Sequence, residues 1–413
     1  MPVMTTQTDL NALIARRESA LREDLRRYVA IPTGFNHTRG LDEFRGLVVG
    51  RCEALGARTA LVPGTPRPDW LHAGDEGAAD ESSYVVPPAA VCSRPVPGLR
   101  RILIASHLDT VFDPRGPFLK LDWSPDGAKG VGPGVVDMKG GIVIALHALE
   151  ALAEAGHELS WTYFFNSDEE TGTYHSAEAL MEQARAHDWG LATEPALPDG
   201  SIAVERKGSG QFIVEAFGKS AHAGRDFEKG VSAVYKLAAV LTKIERLIDL
   251  SAGVTVNIGP LKGGAATNIV PDYAAAWGNV RYPSEQASET FRVGLEALSE
   301  VADGTTPAPG QVRIRHSLNR PAKPRTPGSM RIAEIARDAA EGLGQRVGFG
   351  ATGGVCDGNI MQAVGLPTID NLGVRGGGLH THQEWIESAS LVERCQLLAA
   401  VLLRLSREAP PER

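Results

Sequence analysis

The chain has 413 residues, 43% of them apolar and 22% charged, which is the make-up of a folded globular protein and excludes a disordered or collagen-like one. At about 150 residues per domain, that length accommodates two or three domains. Lys and Arg total 42 against 50 Asp and Glu, a net charge of −8 that disfavours nucleic acid as a partner. No run reaches the roughly 18 apolar residues that a bilayer span needs, so no membrane partner is expected. The N-terminal stretch lacks an apolar core followed by a small-residue cleavage site, so a cytoplasmic location is expected. Cys52, Cys92, Cys356 and Cys395 are widely spaced without a CxxC pair, which favours reduced thiols.

Residues 9–29 place Leu10, Leu13, Ile14, Leu21, Leu25 and Tyr28 at near-helical spacing and predict one amphipathic helix. The Pro-, Gly- and Asp-rich stretch 63–100 reads as loop with a short strand at 89–92. RILIASHLDTV (101–111) and LSWTYFFNS (159–167) begin or run as unbroken apolar segments, the pattern of strands buried on both faces. Between them a helix opens at Gly140 and Gly141 and ends at Gly156. This alternation predicts an α/β catalytic domain, a mixed and mostly parallel sheet sandwiched by helices. Over 206–320 the order becomes strand (210–218), helix (229–247), two strands (253–261 and 273–282), helix (286–302) and strand (311–318). That βαββαβ order predicts an inserted α+β, ferredoxin-like domain at 206–320, interrupting a first domain made of 1–205 and 321–413. A C-terminal helix is expected at 390–406.

Five segments put metal-competent side chains at strand ends or in loops. SHLDTV offers His107 and Asp109, spaced so that a carboxylate can fix the tautomer of a ligating ring, although His-x-Asp also occurs by chance. GPGVVDMKGG places Asp137 before a helix, where a simple helix cap is the plain alternative. FFNSDEETGT runs a buried strand into Asp168, Glu169 and Glu170, adjacent carboxylates that need a cation or open solvent. ATEPAL brings Glu194 after a short strand, and GGGLHTHQEW sets His380 and His382 in a glycine-rich loop. Strand ends of an α/β sheet converge on one crevice, and two His with three carboxylates match the demand of two divalent cations. Mixed nitrogen and oxygen donors without thiolate suit zinc, with cobalt or manganese as alternatives. A further carboxylate must then take the proton from an activated water, and Glu169 beside Glu170 supplies it.

With these motifs in order from SHLDTV to the C-terminal helix, the chain resembles the dizinc metallopeptidase family of glutamate carboxypeptidase, succinyl-diaminopimelate desuccinylase, acetylornithine deacetylase and aminoacylase. Its motifs are most like those of the glutamate carboxypeptidase branch. The resemblance implies two zinc ions per subunit, held by His107, Asp137, Glu170, Glu194 and His380, with Asp137 bridging. It implies that Glu169 is the general base and acid, that Asp109 orients His107, and that the peptide after Asp137 is cis. His380 is preferred to His382 because the family's ligand precedes an acidic residue by four positions, which Glu384 fits. The inserted domain resembles the family's dimerisation lid. Accordingly His222 of GKSAHAG would reach across a homodimer interface to the partner's site and stabilise an oxyanion. Asn268 of GGAATNIVPD would touch substrate, and Arg281 and Arg320 would hold its carboxylate. TGGVCDGNI resembles a pocket-lining glycine loop containing Gly354, but Val355 and Cys356 depart from its pattern. Cys356 as a nucleophile lacks an evident activating base.

The resulting expectation is a zinc-dependent metallopeptidase or amidohydrolase acting on a small peptide or N-acyl amino acid with a free carboxylate. An N-acyl-amino-acid deacylase of the deacetylase or desuccinylase type is the alternative within the class. An N-carbamoyl amidohydrolase fits less well, since those relatives usually carry His where Glu194 stands. A catalytically silent binding homologue is the alternative outside the class, and it would have lost a ligand or the base.

Overall fold

The structure is a computed structural model and describes residues 6–34, 37–74 and 85–410. Helices α1 (Gln7–Ala15), α2 (Glu18–Val29) and α3 (Thr38–Ala54) precede the strands β1 (Arg58–Val62), β2 (Ala89–Arg94) and β3 (Arg101–His107). Two short strands, β4 (Asp122–Trp123) and β5 (Lys129–Val131), lead into α4 (Lys139–Glu154) and β6 (Ser160–Asn166). Helix α5 (Ala177–Arg185) is followed by β7 (Trp189–Ala192), β8 (Ile202–Arg206) and β9 (Gly208–Phe217). Next come α6 (Ala233–Ile244), β10 (Thr255–Gly263), β11 (Tyr273–Tyr282), α7 (Glu285–Glu296) and β12 (Val312–Arg320). The chain closes with α8 (Pro327–Gly342), β13 (Phe349–Thr352), α9 (Asp357–Ala363), β14 (Thr368–Ile369), β15 (Gly376–Gly377), β16 (Trp385–Glu387) and α10 (Ala389–Leu405).

The main sheet has the order β1-β2-β6-β3-β7-β14, with β6, β3, β7 and β14 mutually parallel and the β1 and β2 edge antiparallel. The unbroken apolar run in β3 follows from burial on both faces. Ile102 and Ile104 join the core under α1, α2, α4, α8 and α10, while Leu103 and Ala105 face α5 and α9. Ile102, Leu103 and Ile104 each stabilise the fold by about 1.5–3 kcal/mol through burial. Helix α4 is buried along nearly its whole length. At its start an added Cβ on Gly141 would lie 2.1 Å from the Thr193 carbonyl, so glycine lets the helix approach the loop after β7.

The segment β9 to β12 builds a second, antiparallel sheet in the order β10-β11-β9-β12, with its own core against α6 and α7. Alternation divides its faces: Phe212, Val214 and Ala216 turn to the helices, whereas Ile213, Ala275 and Trp277 pack on Trp70 and Leu71. The Trp277 indole donates to the Trp70 carbonyl at 2.8 Å, seating this sheet on the first part of the molecule.

Three expected elements differ. Residues 9–29 form two helices that break at Arg16 and Arg17. Ile14 and Leu21 are seven residues apart, two helical turns, so the periodicity runs through the break unseen. The helix expected at 286–302 ends at Glu296, because Glu300 donates its main-chain N–H to the Val312 carbonyl and joins the edge of β12. The helix expected at 229–247 is helical at 233–244, with a 3₁₀ turn after it.

Candidate active site

His107 closes β3 and is buried. Its Nδ1 lies 2.9 Å from the main-chain carbonyl of Asp109, an oxygen that can only accept, so Nδ1 carries the proton. In the neutral ring, Nε2 then turns a lone pair toward Asp137 Oδ1 at 3.2 Å and Glu194 Oε2 at 3.9 Å. The three groups meet around one point, where a cation, either a proton on Nε2 or a metal ion, balances the two carboxylates. Asp137 presents its other oxygen, Oδ2, to His380 Nε2 at 3.6 Å, and the same nitrogen lies 3.3 Å from Glu170 Oε2. One carboxylate therefore faces two imidazoles, each paired with one glutamate. His107, Asp137 and Glu170 have ligand atoms within 4.8 Å of one another. This nitrogen and oxygen donor set fits a pair of divalent cations.

The electrostatics express the same crowding. Burial, then the neighbouring Asp137 carboxylate, pushes Glu170 up to about 8, and burial holds Glu194 well above the usual carboxylate range. Against its burial, the two histidines hold Asp137 well below that range. Also against burial, Asp109 and Asp137 hold His107 well above the ordinary imidazole value. Asp137 and Glu170 lift His380 to about 10.

Glu384 is fully buried, and its carboxylate accepts from the main-chain N–H groups of Gly134, Val136 and Asp137 at 3.0, 2.8 and 3.0 Å. It thereby ties the loop presenting Asp137 to the loop presenting His380. The Asp137–Met138 peptide is cis. His380 has φ 60°, a left-handed conformation that few non-glycine residues adopt.

The segment after β6 separates its three carboxylates. Asp168 turns inward and is satisfied by Ser176 Oγ at 2.6 Å and the His175 N–H at 2.7 Å, leaving Glu169 and Glu170 at the cavity. Asp109 serves both His107 and the glutamate turn. Its carboxylate lies 3.5 Å from His107 Nδ1 and accepts from the N–H groups of Glu169 and Glu170, at 3.3 and 2.9 Å. Its carbonyl thus holds the ring while its carboxylate braces the turn.

A cavity of about 490 Å³ lies between this cluster and the second sheet. Glu169, Glu170, His380, Arg67 and Gly354 line it from the first part, and Gln211, Asn279, Arg281, Asn319 and Arg320 from the second. Arg281 Nη1 is buried without a hydrogen-bond partner, and its Nε donates to Asn279 Oδ1 at 3.1 Å. Arg320, expected as a second carboxylate clamp, lines the cavity but is 2% exposed, and its guanidinium is engaged by the Glu169 turn. His222 and Asn268 are exposed on the second sheet's rim, where the Ala223 N–H donates to the Asn268 carbonyl at 3.0 Å, and neither lines the cavity. His382 packs on Phe118 with ring centroids 5.2 Å apart and takes no part in the cluster. Cys356 is buried at the start of α9, and burial pushes its thiol up, which disfavours the thiolate that a nucleophile needs.

Sequence reasoning used Glu384 only as a spacing mark and missed Arg67, Gln211 and Asn279. For the last two a signal existed. Ser209 and Gln211, and Asn279 and Arg281, are polar residues two apart in apolar strands, and they pair across β9 and β11 as Asn279 with Gln211 and Arg281 with Ser209.

The profile of Peptidase family M20/M25/M40 matches residues 103–404. The chain belongs to that family. As an M20 member it is a metal-dependent peptidase or amidohydrolase. It is 29% identical to carboxypeptidase G2 of Pseudomonas sp. over 313 residues, 75% of this chain and 74% of that one. Over 281 residues it is 28% identical to a putative succinyl-diaminopimelate desuccinylase of Mycobacterium tuberculosis, covering 65% and 73% of the two chains. Its fold is that of a Bacillus subtilis protein described as a dinuclear metal binding peptidase of the M20 family, with TM-score 0.64, 16% identity and 95% and 98% coverage. Among the described residues of this M20 chain, no helix is long and apolar enough to cross a membrane.

Proposed function

We propose that this M20 enzyme hydrolyses the amide bond of a small peptide or N-acyl amino acid bearing a free carboxylate, in the manner of a glutamate carboxypeptidase. The observation that carries this reading is the buried, unpartnered Nη1 of Arg281, which lines the same cavity as Glu169, Glu170 and His380. A substrate carboxylate is the partner that a guanidinium in this setting lacks. His107 and Glu194 would hold one zinc, His380 and Glu170 a second, and Asp137 both. When bound, such ions supply Lewis-acid polarisation of a carbonyl and make a water more acidic. Glu169 would accept the proton of the attacking water and return it to the departing amine. Residues 206–320 would serve as lid and dimerisation unit. His222 of a second copy would then donate a hydrogen bond to the developing oxyanion. In support, His222 is exposed away from its own cavity, and the same unit exposes Phe227, Tyr235, Leu261 and Ile269, an apolar surface of the kind that subunit contacts cover.

The deacylase reading keeps the same cluster and reverses which side of the amide fills the cavity. It is supported by the likeness to the desuccinylase. A zinc-loaded preparation assayed on dipeptides, N-acyl amino acids and acetylornithine, each beside its C-terminally amidated form, separates the possibilities. Cleavage that needs the free C-terminal carboxylate is expected. Equal rates on the amidated forms would overturn the assignment, as would no hydrolysis of any member.

A further inference from the structure

Strand β12 leaves the second sheet and ends on the turn that carries Glu169. Asn319 Nδ2 donates to the Gly172 carbonyl at 2.5 Å. From Arg320, Nε donates to the same carbonyl at 3.3 Å, Nη2 to the Glu169 carbonyl at 2.9 Å and to Thr173 Oγ1, and Nη1 to the Glu169 carboxylate at 2.8 Å. All three guanidinium nitrogens thus have acceptors on one turn. The far side is braced by Asp357, fully buried at the start of α9, which lies 4.0 Å from Arg320 Nη1. Asp357 accepts from Thr173 Oγ1 at 2.9 Å and Asn166 Nδ2 at 2.7 Å. Arg281 is the reverse case. Burial and the neighbouring Arg320 cation hold it below the usual guanidinium range, and one of its nitrogens has no acceptor. Of two adjacent arginines, one already holds its anion and the other waits for one.

We propose that Arg320 is the positioning residue of Glu169 rather than a clamp for the substrate carboxylate, and that through β12 it makes the orientation of Glu169 depend on how the second sheet is seated. The catalytic half of this proposal rests on Glu169 being the base of the hydrolase described above. The structural half does not. A guanidinium fork fixes both the carboxylate and the peptide that carries it, so a shift of β12 is transmitted to the reacting oxygen without any contact between Arg320 and substrate.

The test compares Arg320→Gln, Arg320→Lys and Arg281→Gln by steady-state kinetics, zinc content and amide hydrogen exchange of residues 168–174. Arg320→Gln should lower kcat about 100-fold, the scale of a misplaced reacting group, with KM within roughly threefold of wild type and zinc retained. Exchange over 169–173 should quicken. Arg320→Lys should restore part of kcat, since its ammonium can reach the Glu169 carboxylate but not both carbonyls. Arg281→Gln should instead raise KM roughly tenfold or more, the loss of one charged contact, and leave exchange of the turn unchanged. If Arg320→Gln does not fold, Asn319→Ala removes one contact to the turn and should quicken its exchange to a smaller extent. A rise in KM for Arg320→Gln with kcat intact would overturn the proposal, as would unaltered exchange in the turn. If the wild type cleaves nothing on the substrate panel, the hydrolase reading falls, and exchange alone decides whether Arg320 orders the turn.

Discussion

The turn at 168–173 and the rim around His222 offer their chemistry under opposite conditions. In the turn, Glu169 and Glu170 are fixed by Asp109 through their N–H groups, by Arg320 through carbonyl and carboxylate, and by the buried Asp168 beside them. At the rim, His222 is solvent-exposed, and Nδ1 accepts the Gly224 N–H at 3.1 Å within its own loop. One region is ordered by contacts within its own chain, whereas the other is exposed and its histidine ring is bonded within its own loop. Completion of the rim by a second copy, as proposed above, is the part of the comparison that a single chain leaves to experiment.

The largest effect should come from the ordered region. Glu169→Gln should reduce kcat by about 10⁴-fold while zinc content, measured by elemental analysis, stays at the wild-type level. Near-normal turnover would remove Glu169 as the base.

A second substitution probes what keeps the two regions in register. Asp370 is fully buried, 2.8 Å from Arg206 Nε and 3.3 Å from Lys323 Nζ, where the chain enters and leaves the second sheet. Asp370→Asn should cost about 3–5 kcal/mol at neutral pH by denaturant titration, because it strands two buried cations. Despite burial, Arg206 and Lys323 hold Asp370 below the usual carboxylate range. Its contribution is therefore complete above the unfolded value of about 3.9 and is lost as pH falls through the lower folded one. The gap between wild type and variant should narrow below about pH 4, and a constant gap would mean that Asp370 acts by packing alone.

The smallest effect, and the one that tests the comparison itself, concerns the rim. His222→Ala should lower kcat by about 10²–10³-fold with zinc retained. Mixing it with Glu169→Gln should regenerate activity if the histidine serves a neighbouring subunit's cavity. Full activity in His222→Ala would leave the rim without a catalytic part, and no recovery on mixing would confine the histidine to its own chain.

Much of the fold was legible because its strands are buried on both faces. The runs at Arg101–His107 and Ser160–Asn166 need no periodicity to be seen, and the βαββαβ order of the second sheet is marked by clear turns. The small sheet β15-β16-β5-β4 was not legible, since its strands have two or three residues and little apolar patterning. At the site, residue types identified His107, Asp137, Glu170, Glu194 and His380 as candidates, but not the direction in which neighbours point. His-x-Asp spacing suggested a carboxylate beside the ring, and the carbonyl of the same residue, which no spacing reveals, makes the shorter contact, 2.9 Å against 3.5 Å. Arg320 is of the right type for a substrate clamp, and only its acceptors show that the guanidinium is already occupied. Glu384 gave no chemical signal, because its task is to hold main-chain N–H groups, which every residue but proline possesses.

The two crossings between the halves of the molecule lie side by side. The Arg206 N–H donates to the Lys323 carbonyl at 2.9 Å, and the Lys323 N–H returns a bond to Arg206 at 3.0 Å. A stretch that begins and ends at one spot can be exchanged like a cassette, since a short linker could join its two ends without moving the strands that bear the metal-competent residues. Chains sharing the first body could thus carry a different second sheet and acquire new preferences by splicing, provided that the replacement keeps a group in the place of Arg320 on the Glu169 turn.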